Sequence, residues 1–136
     1  MGYHSHLEGE ITINPPIPWS EVRDGDFVSA SDREEWKRLV WLRLDEETVQ
    51  TDEGTLTRKQ AVAIRVTTAG ELRAGTLRPE VQEIVARHGK GRTFDGYILV
   101  RGEESPDIWR VAVENGEAVE VYPRIIWPDG TEEPRR

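Results

Sequence analysis

Cysteine is absent from this chain of 136 residues, and histidine occurs only three times. The first absence excludes disulfides, thiolate metal sites and thiol catalysis. The second removes most histidine-based acid–base constellations. Lysine is almost missing as well: Lys37, Lys59 and Lys90 stand alone, and every other basic residue is arginine. That bias follows GC-rich arginine codons more simply than chemistry, and it points to a high-GC bacterium or its phage. No apolar run approaches the roughly 20 residues needed to cross a bilayer as a helix. The opening stretch Met1-Gly2-Tyr3-His4-Ser5-His6 lacks a secretion signal, and His6 stands where myristoylation requires Ser or Thr. Walker, dinucleotide, calcium-loop and nucleophile-elbow patterns are all missing. A cytoplasmic protein without a cofactor is the resulting expectation.

What the chain has in excess is acid. Its 26 Asp and Glu face 18 Lys and Arg, a net charge of −8. This makes direct nucleic-acid binding and an anionic membrane surface poor expectations. The excess is uneven: residues 1–60 carry 13 acidic and 7 basic groups, whereas residues 61–136 carry 13 and 11. Hydrophobic content of 36% is low for a globular domain, but the apolar residues recur in patterned runs, as a folded chain requires.

Alternation over Tyr3–Ile13 predicts a first strand, with Tyr3, Leu7, Ile11 and Ile13 on one face and His4, His6, Glu8 and Glu10 on the other. Asn14-Pro15-Pro16 is expected to stop it, since proline donates nothing to a ladder. A short helix follows over Pro18–Arg23, and Ser31 with Glu34 forms a capping-box pattern before a helical turn at Asp32–Arg38. Val40 to Thr51 and the stretch from Leu56 to Val66 read as a hairpin across Asp52-Glu53-Gly54, with a polar distal part projecting into solvent. A short strand is expected around Glu71–Ala74, then a helix from Pro79 to His88, stopped by Gly89. Phe94–Val100, Ile108–Val113 and Ala118–Trp127 form a C-terminal meander, the last two joined by the hairpin signal Asn115-Gly116. The order strand, helix, strand, strand, helix, strand, with two strands appended, predicts an α+β ferredoxin-like split βαβ sandwich with an extended antiparallel sheet. One domain over residues 1–131 is expected, followed by a polar C-terminal tail, residues 132–136.

Three groups of residues invite a functional reading. His4 and His6, with Glu8 or Glu10, could present a His-His-carboxylate metal site; an exposed polar strand face explains them as well. Arg87, His88, Lys90 and Arg92 surround Gly89 and Gly91 and could hold a phosphate or nucleotide. The plainer account is that basic groups complement the negative end of the preceding helix. Trp41 lies out of phase with Val40, Leu42 and Leu44, so it faces away from their side of the strand. With Trp36 and the carboxylates Asp45, Glu46, Glu47, Asp52 and Glu53, it outlines an acidic, partly aromatic face suited to a protein partner. No carboxylate pair is singled out by spacing as a general acid and base.

Met1-Gly2-Tyr3-His4, Gly9-Glu10-Ile11-Thr12-Ile13-Asn14-Pro15-Pro16, the hairpin segment Glu46 to Arg58, Ile108-Trp109-Arg110-Val111 and Arg124-Ile125-Ile126-Trp127-Pro128-Asp129-Gly130 together resemble a family of small actinobacterial and actinophage proteins of unknown function. The resemblance spans nearly the whole chain. It implies a source and a single-domain architecture, and no activity. The functional expectation is therefore a non-catalytic acidic protein that binds another protein, as a host-protein or DNA-mimic inhibitor. A small anionic ligand held by Arg87, His88, Lys90 and Arg92 is the first alternative, and an enzyme using a carboxylate or His4/His6 site the second.

Overall fold

The computed structural model describes residues 5–25, 27–28, 38–66, 71–72, 74–104 and 107–134. Its elements are β1 (Ser5–Pro18), α1 (Trp19–Val22), β2 (Val40–Thr51), β3 (Gly54–Val66), β4 (Glu71–Leu72), α2 (Leu77–His88), β5 (Thr93–Gly102), β6 (Ile108–Glu114) and β7 (Glu117–Val121). The strands form one sheet in the order β2-β3-β1-β5-β6-β7, and the two-residue β4 pairs with the start of β1. Every pairing between these strands is antiparallel.

The fold is largely β, which corrects the expected α+β ferredoxin-like sandwich. The succession of strands and helices survives, but the helical layer does not. Among the described residues, α1 is a single turn of four residues, Trp19–Val22, and α2 alone is long enough to cover part of the sheet. Residues 32–37 of the second expected turn, Trp36 among them, lie outside the described residues.

The core lies between α2 and one face of the sheet. Leu77, Val81, Ile84 and Val85 of α2 are buried against Leu7, Ile11 and Ile13 of β1, Val40 and Leu42 of β2, Ile64 of β3, Ile98 and Val100 of β5 and Val111 of β6. A strand buries alternate residues, so the intervening ones must face away from α2. On β1 these are His6, Glu8, Glu10 and Thr12, none of them buried, as the sequence pattern predicts. We call the two sides of the sheet the inner and outer faces.

Two irregularities shape the sheet. Pairing steps from Arg43↔Ala63 to Leu44↔Ala61, and on the other side from Thr12↔Ala63 to Ile17↔Ala61. Val62 is the extra residue in β3, a bulge that breaks the strict alternation of the strand. The β1–β3 lapse also accommodates the prolines: β1 continues through Pro15 and Pro16 because no ladder bond to β3 is required of them there. The second irregularity lies between β1 and β5. Gly9 (φ 104°) and Gly96 (φ 100°) flank the Glu10↔Tyr97 pair, and a Cβ on either would lie 2.6 Å from the Tyr97 carbonyl oxygen or 2.8 Å from that of Glu10. Only glycine fits both the left-handed backbone and the space.

The buried carboxylate of Glu80 ties α2 to β2. It is 7% exposed and accepts hydrogen bonds from the Leu39 amide at 2.8 Å, the Val40 amide at 3.4 Å and the Thr76 hydroxyl at 2.7 Å. At the other end of the sheet, Gln82 Oε1 accepts the Ala118 amide at 2.7 Å, so α2 also occupies part of the edge of β7.

Gly96→Ala is expected to lower stability by about 1–3 kcal/mol, the cost of a strained residue in left-handed backbone. A urea midpoint equal to that of the unsubstituted protein would show that β5 needs no glycine there.

Candidate interaction surface

The residues expected to meet a partner divide into two groups in space. Beyond the Asp45↔Gln60 pair, β2 and β3 leave the sheet as a two-stranded arm, because β1 reaches only to Pro18↔Gln60. The arm runs in register from Glu46↔Lys59 to the turn at Thr51↔Gly54, a reach of about 20 Å at some 3.4 Å per residue. Every residue along it is exposed except half-buried Val49. Asp45, Glu46, Glu47, Asp52 and Glu53 therefore all lie on this arm or at its root. Their cationic neighbours are few: Lys59 lies 3.7 Å from Glu46 and over the Trp19 ring at 4.9 Å. Leu56 is 49% exposed on the same arm.

Trp41 is set apart from this group. It faces outward as its phase predicts, opposite Arg65, but it is half-buried and its indole N–H donates to the Val66 carbonyl at 3.1 Å. It secures the base of the hairpin and is not part of the exposed arm.

The basic cluster after α2 is held by the fold. Arg92, whose side chain is 14% exposed, donates from Nε to the Pro15 carbonyl (3.1 Å) and from Nη1 to the His88 carbonyl (3.0 Å), with Glu21 3.7 Å from Nη2. His88 Nδ1 lies 3.6 Å from the same Glu21, and Arg87 pairs with Glu83 at 3.1 Å. These contacts tie the end of α2 to α1 and to the proline turn of β1. Lys90 is exposed beside them. The helix end contributes orphan carbonyls here, which repel an anion and attract the arginine. His4 lies outside the described residues, and His6 faces Glu8 at 3.8 Å. Among the described residues, no three His, Asp or Glu side chains form a metal-binding group. A shallow depression lined by Arg38, Thr76, Pro79, Glu80 and Glu83 has its carboxylates occupied: Glu80 as above, and Glu83 by Arg38 at 3.3 Å and by Arg87.

A C-terminal hairpin takes the place of part of the meander. The last expected strand, Ala118–Trp127, ends instead at Val121, and the chain turns back on itself about Trp127-Pro128-Asp129-Gly130. Trp127 N donates to Thr131 O, Glu133 N to Ile125 O, and Arg124 grips Glu132 through Nε (3.0 Å) and Nη2 (2.7 Å). Asp129 accepts both the amide and the hydroxyl of Thr131. The Pro-Asp-Gly turn signal was present in the sequence and points to this hairpin. It holds Ile125, Ile126 and Trp127 about half exposed.

Hydrogen bonding shifts the titration of the hairpin. The Arg124 contact, chiefly its side-chain hydrogen bond, holds the Glu132 carboxyl below its ordinary range, and the Thr131 hydroxyl and amide do the same for Asp129.

A sheet built on a central β1, with α2 on its inner face and an acidic arm extending from it, defines a largely β protein whose most prominent exposed feature is that arm. The chain belongs to the family of unknown function DUF6205, whose model matches residues 1–135. No curated protein and no solved structure matches it significantly. No helix among the described residues is long and apolar enough to cross a membrane.

Arg92→Ala is expected to lower stability by about 1–3 kcal/mol through loss of its hydrogen bonds; an unchanged urea midpoint would instead mark the cluster as free for a ligand. The hairpin carboxylates titrate below their unfolded values, so their contribution is present at neutral pH and is lost as pH falls through the lowered values. Acidification below about pH 4 should therefore shift the Gly130 and Thr131 amide resonances while those of β1 and β5 stay native. Constant hairpin resonances down to about pH 2 would contradict that origin.

Proposed function

We propose that this protein is a non-catalytic binding protein whose acidic β2–β3 arm docks on a basic protein partner. The observation that carries this reading is the arm itself. It extends about 20 Å beyond the last strand that could support it, and its exposed carboxylates outnumber its cations. A two-stranded ribbon without a core beneath it is marginal by itself, so a projecting arm of this length is better explained by contact with a partner than by the core. Mixed contacts from Leu56 and Val49 would supply apolar area within the acidic surround.

The partner's chemistry follows from the sign of the charge: a surface rich in Lys and Arg, such as a protein that itself binds nucleic acid. In a cytoplasmic, actinobacterial or phage setting the arm would then occlude that surface as a DNA mimic. Carboxylates along a narrow ribbon steer association at low salt and lose that advantage as screening shortens the Debye length.

The test is capture from a high-GC bacterial lysate with the protein and with the variant Glu46→Gln/Glu47→Gln/Asp52→Asn/Glu53→Gln. A basic protein held by the first, released by salt and absent from the second is the expected result. Equal capture by both would remove the arm from the interaction.

A further inference from the structure

The outer face of β5, β6 and β7 differs from the rest of the surface. Pairing aligns Asp95, Tyr97, Leu99 and Arg101 of β5 beside Ile108, Arg110, Ala112 and Glu114 of β6, and these beside Val121, Val119 and Glu117 of β7. The alternation that buries Ile98, Val100 and Val111 under α2 turns all of these residues to the opposite side. Among the described residues no helix lies over them. A solvated face of an antiparallel sheet ordinarily carries polar residues. Here the middle of the face is apolar: Leu99, Ala112, Val119 and Val121 are half-buried, and Tyr97 is 44% exposed. The Arg110 guanidinium lies on the Tyr97 ring at 4.4 Å.

The charges of this face are sorted by end. Asp95, Glu114 and Glu117 lie at one end of the strands, Tyr97, Ala112 and Val119 form the next row, Arg110 stands between Leu99 and Val121 in the third, and Arg101 lies with Ile108 at the other end. A ligand of single sign, such as a nucleic acid or an anionic membrane, would meet like charge at one end. A copy of the same face turned end for end meets opposite charge at both. A two-fold axis crossing the strands at Ala112 places Arg110 opposite the acidic end of the partner subunit, and the reverse, as an isologous contact requires. The face carries three carboxylates against two arginines, a smaller negative excess than that of the arm, where Asp45, Glu46, Glu47, Asp52 and Glu53 face Arg58 and Lys59, so two chains of net charge −8 meet less mutual repulsion here than there.

We propose that the outer face of β5–β7 is the interface of a two-fold dimer of this chain. The sheets stack face to face, Tyr97, Leu99, Val119 and Val121 of both copies fill the middle, and Arg110 pairs with the acidic end of the partner subunit. This surface is separate from the acidic arm, so either reading can fail without the other.

Sedimentation equilibrium of the full chain from micromolar to submillimolar concentration tests it, with circular dichroism confirming that each variant is folded. The unsubstituted protein should be dimeric. R110E and the pair E114R/E117R each place like charges together and should weaken the dimer at least about tenfold. The triple variant R110E/E114R/E117R restores opposite signs across the axis and should recover the dimer. A monomeric protein throughout the range, either one-sided variant dimerising as tightly as the unsubstituted chain, or a triple variant that stays monomeric would overturn the proposal.

Discussion

The pairing of β1 with β3 on one edge and β5 on the other is the constraint on which the rest of the sheet depends. It works only because Gly9 and Gly96 occupy left-handed backbone beside the carbonyls of Tyr97 and Glu10. With that pair closed, Leu7, Ile11 and Ile13 face α2, and Glu8 and Glu10 face away. Glu10 then meets Arg43 of β2 at 3.3 Å and Arg65 of β3 at 3.6 Å, while Glu8 meets Arg101 of β5 at 3.6 Å. These pairs are partly exposed, and each contributes little to stability. Their effect is to hold an ordered row of charge across the outer face.

Much of this architecture was legible because period-2 patterning and turn chemistry are local. The alternation in β1, the Asn115-Gly116 turn with both residues at positive φ, and the helix ending at Gly89 all read correctly. The α+β class did not hold, because helix length depends on tertiary support: Pro18 to Arg23 has the start signals of a helix but only four residues, Trp19–Val22, adopt one. The proline stop failed for a related reason. Asn14-Pro15-Pro16 forbids ladder donors but not extended backbone, and β3 skips a residue at the same place. Val62 could not be anticipated, since a bulge appears only when both neighbouring strands are known.

Site legibility followed the same line. The exposure of the arm's carboxylates was legible because hairpin tips need no long-range partner to be exposed. Trp41 was placed on the correct face, but its bond to Val66 depends on the strand opposite. The glycine-flanked arginine cluster is the instructive case. In sequence Arg92 stands next to His88 and Lys90 as a potential anion cradle; in space it reaches Pro15, 77 residues away. Glu80 carries the opposite lesson: Thr76, one turn earlier, is a local partner, but the carboxylate ties α2 to the sheet only through the distant amides of Leu39 and Val40.

The distribution of charge now has a structural account. A chain this acidic repels its own copies unless some region is spared. The arm leaves the sheet and carries Glu46, Glu47, Asp52 and Glu53 away from the body. The outer face near β5–β7 is left with charges of both signs and with apolar residues that a solvated strand does not require. Lengthening β2 and β3 beyond β1 is thus more than an extension of the hairpin. It separates the surface proposed to meet a basic partner from the surface proposed to meet a second copy of the chain, and it does so with one pair of strands.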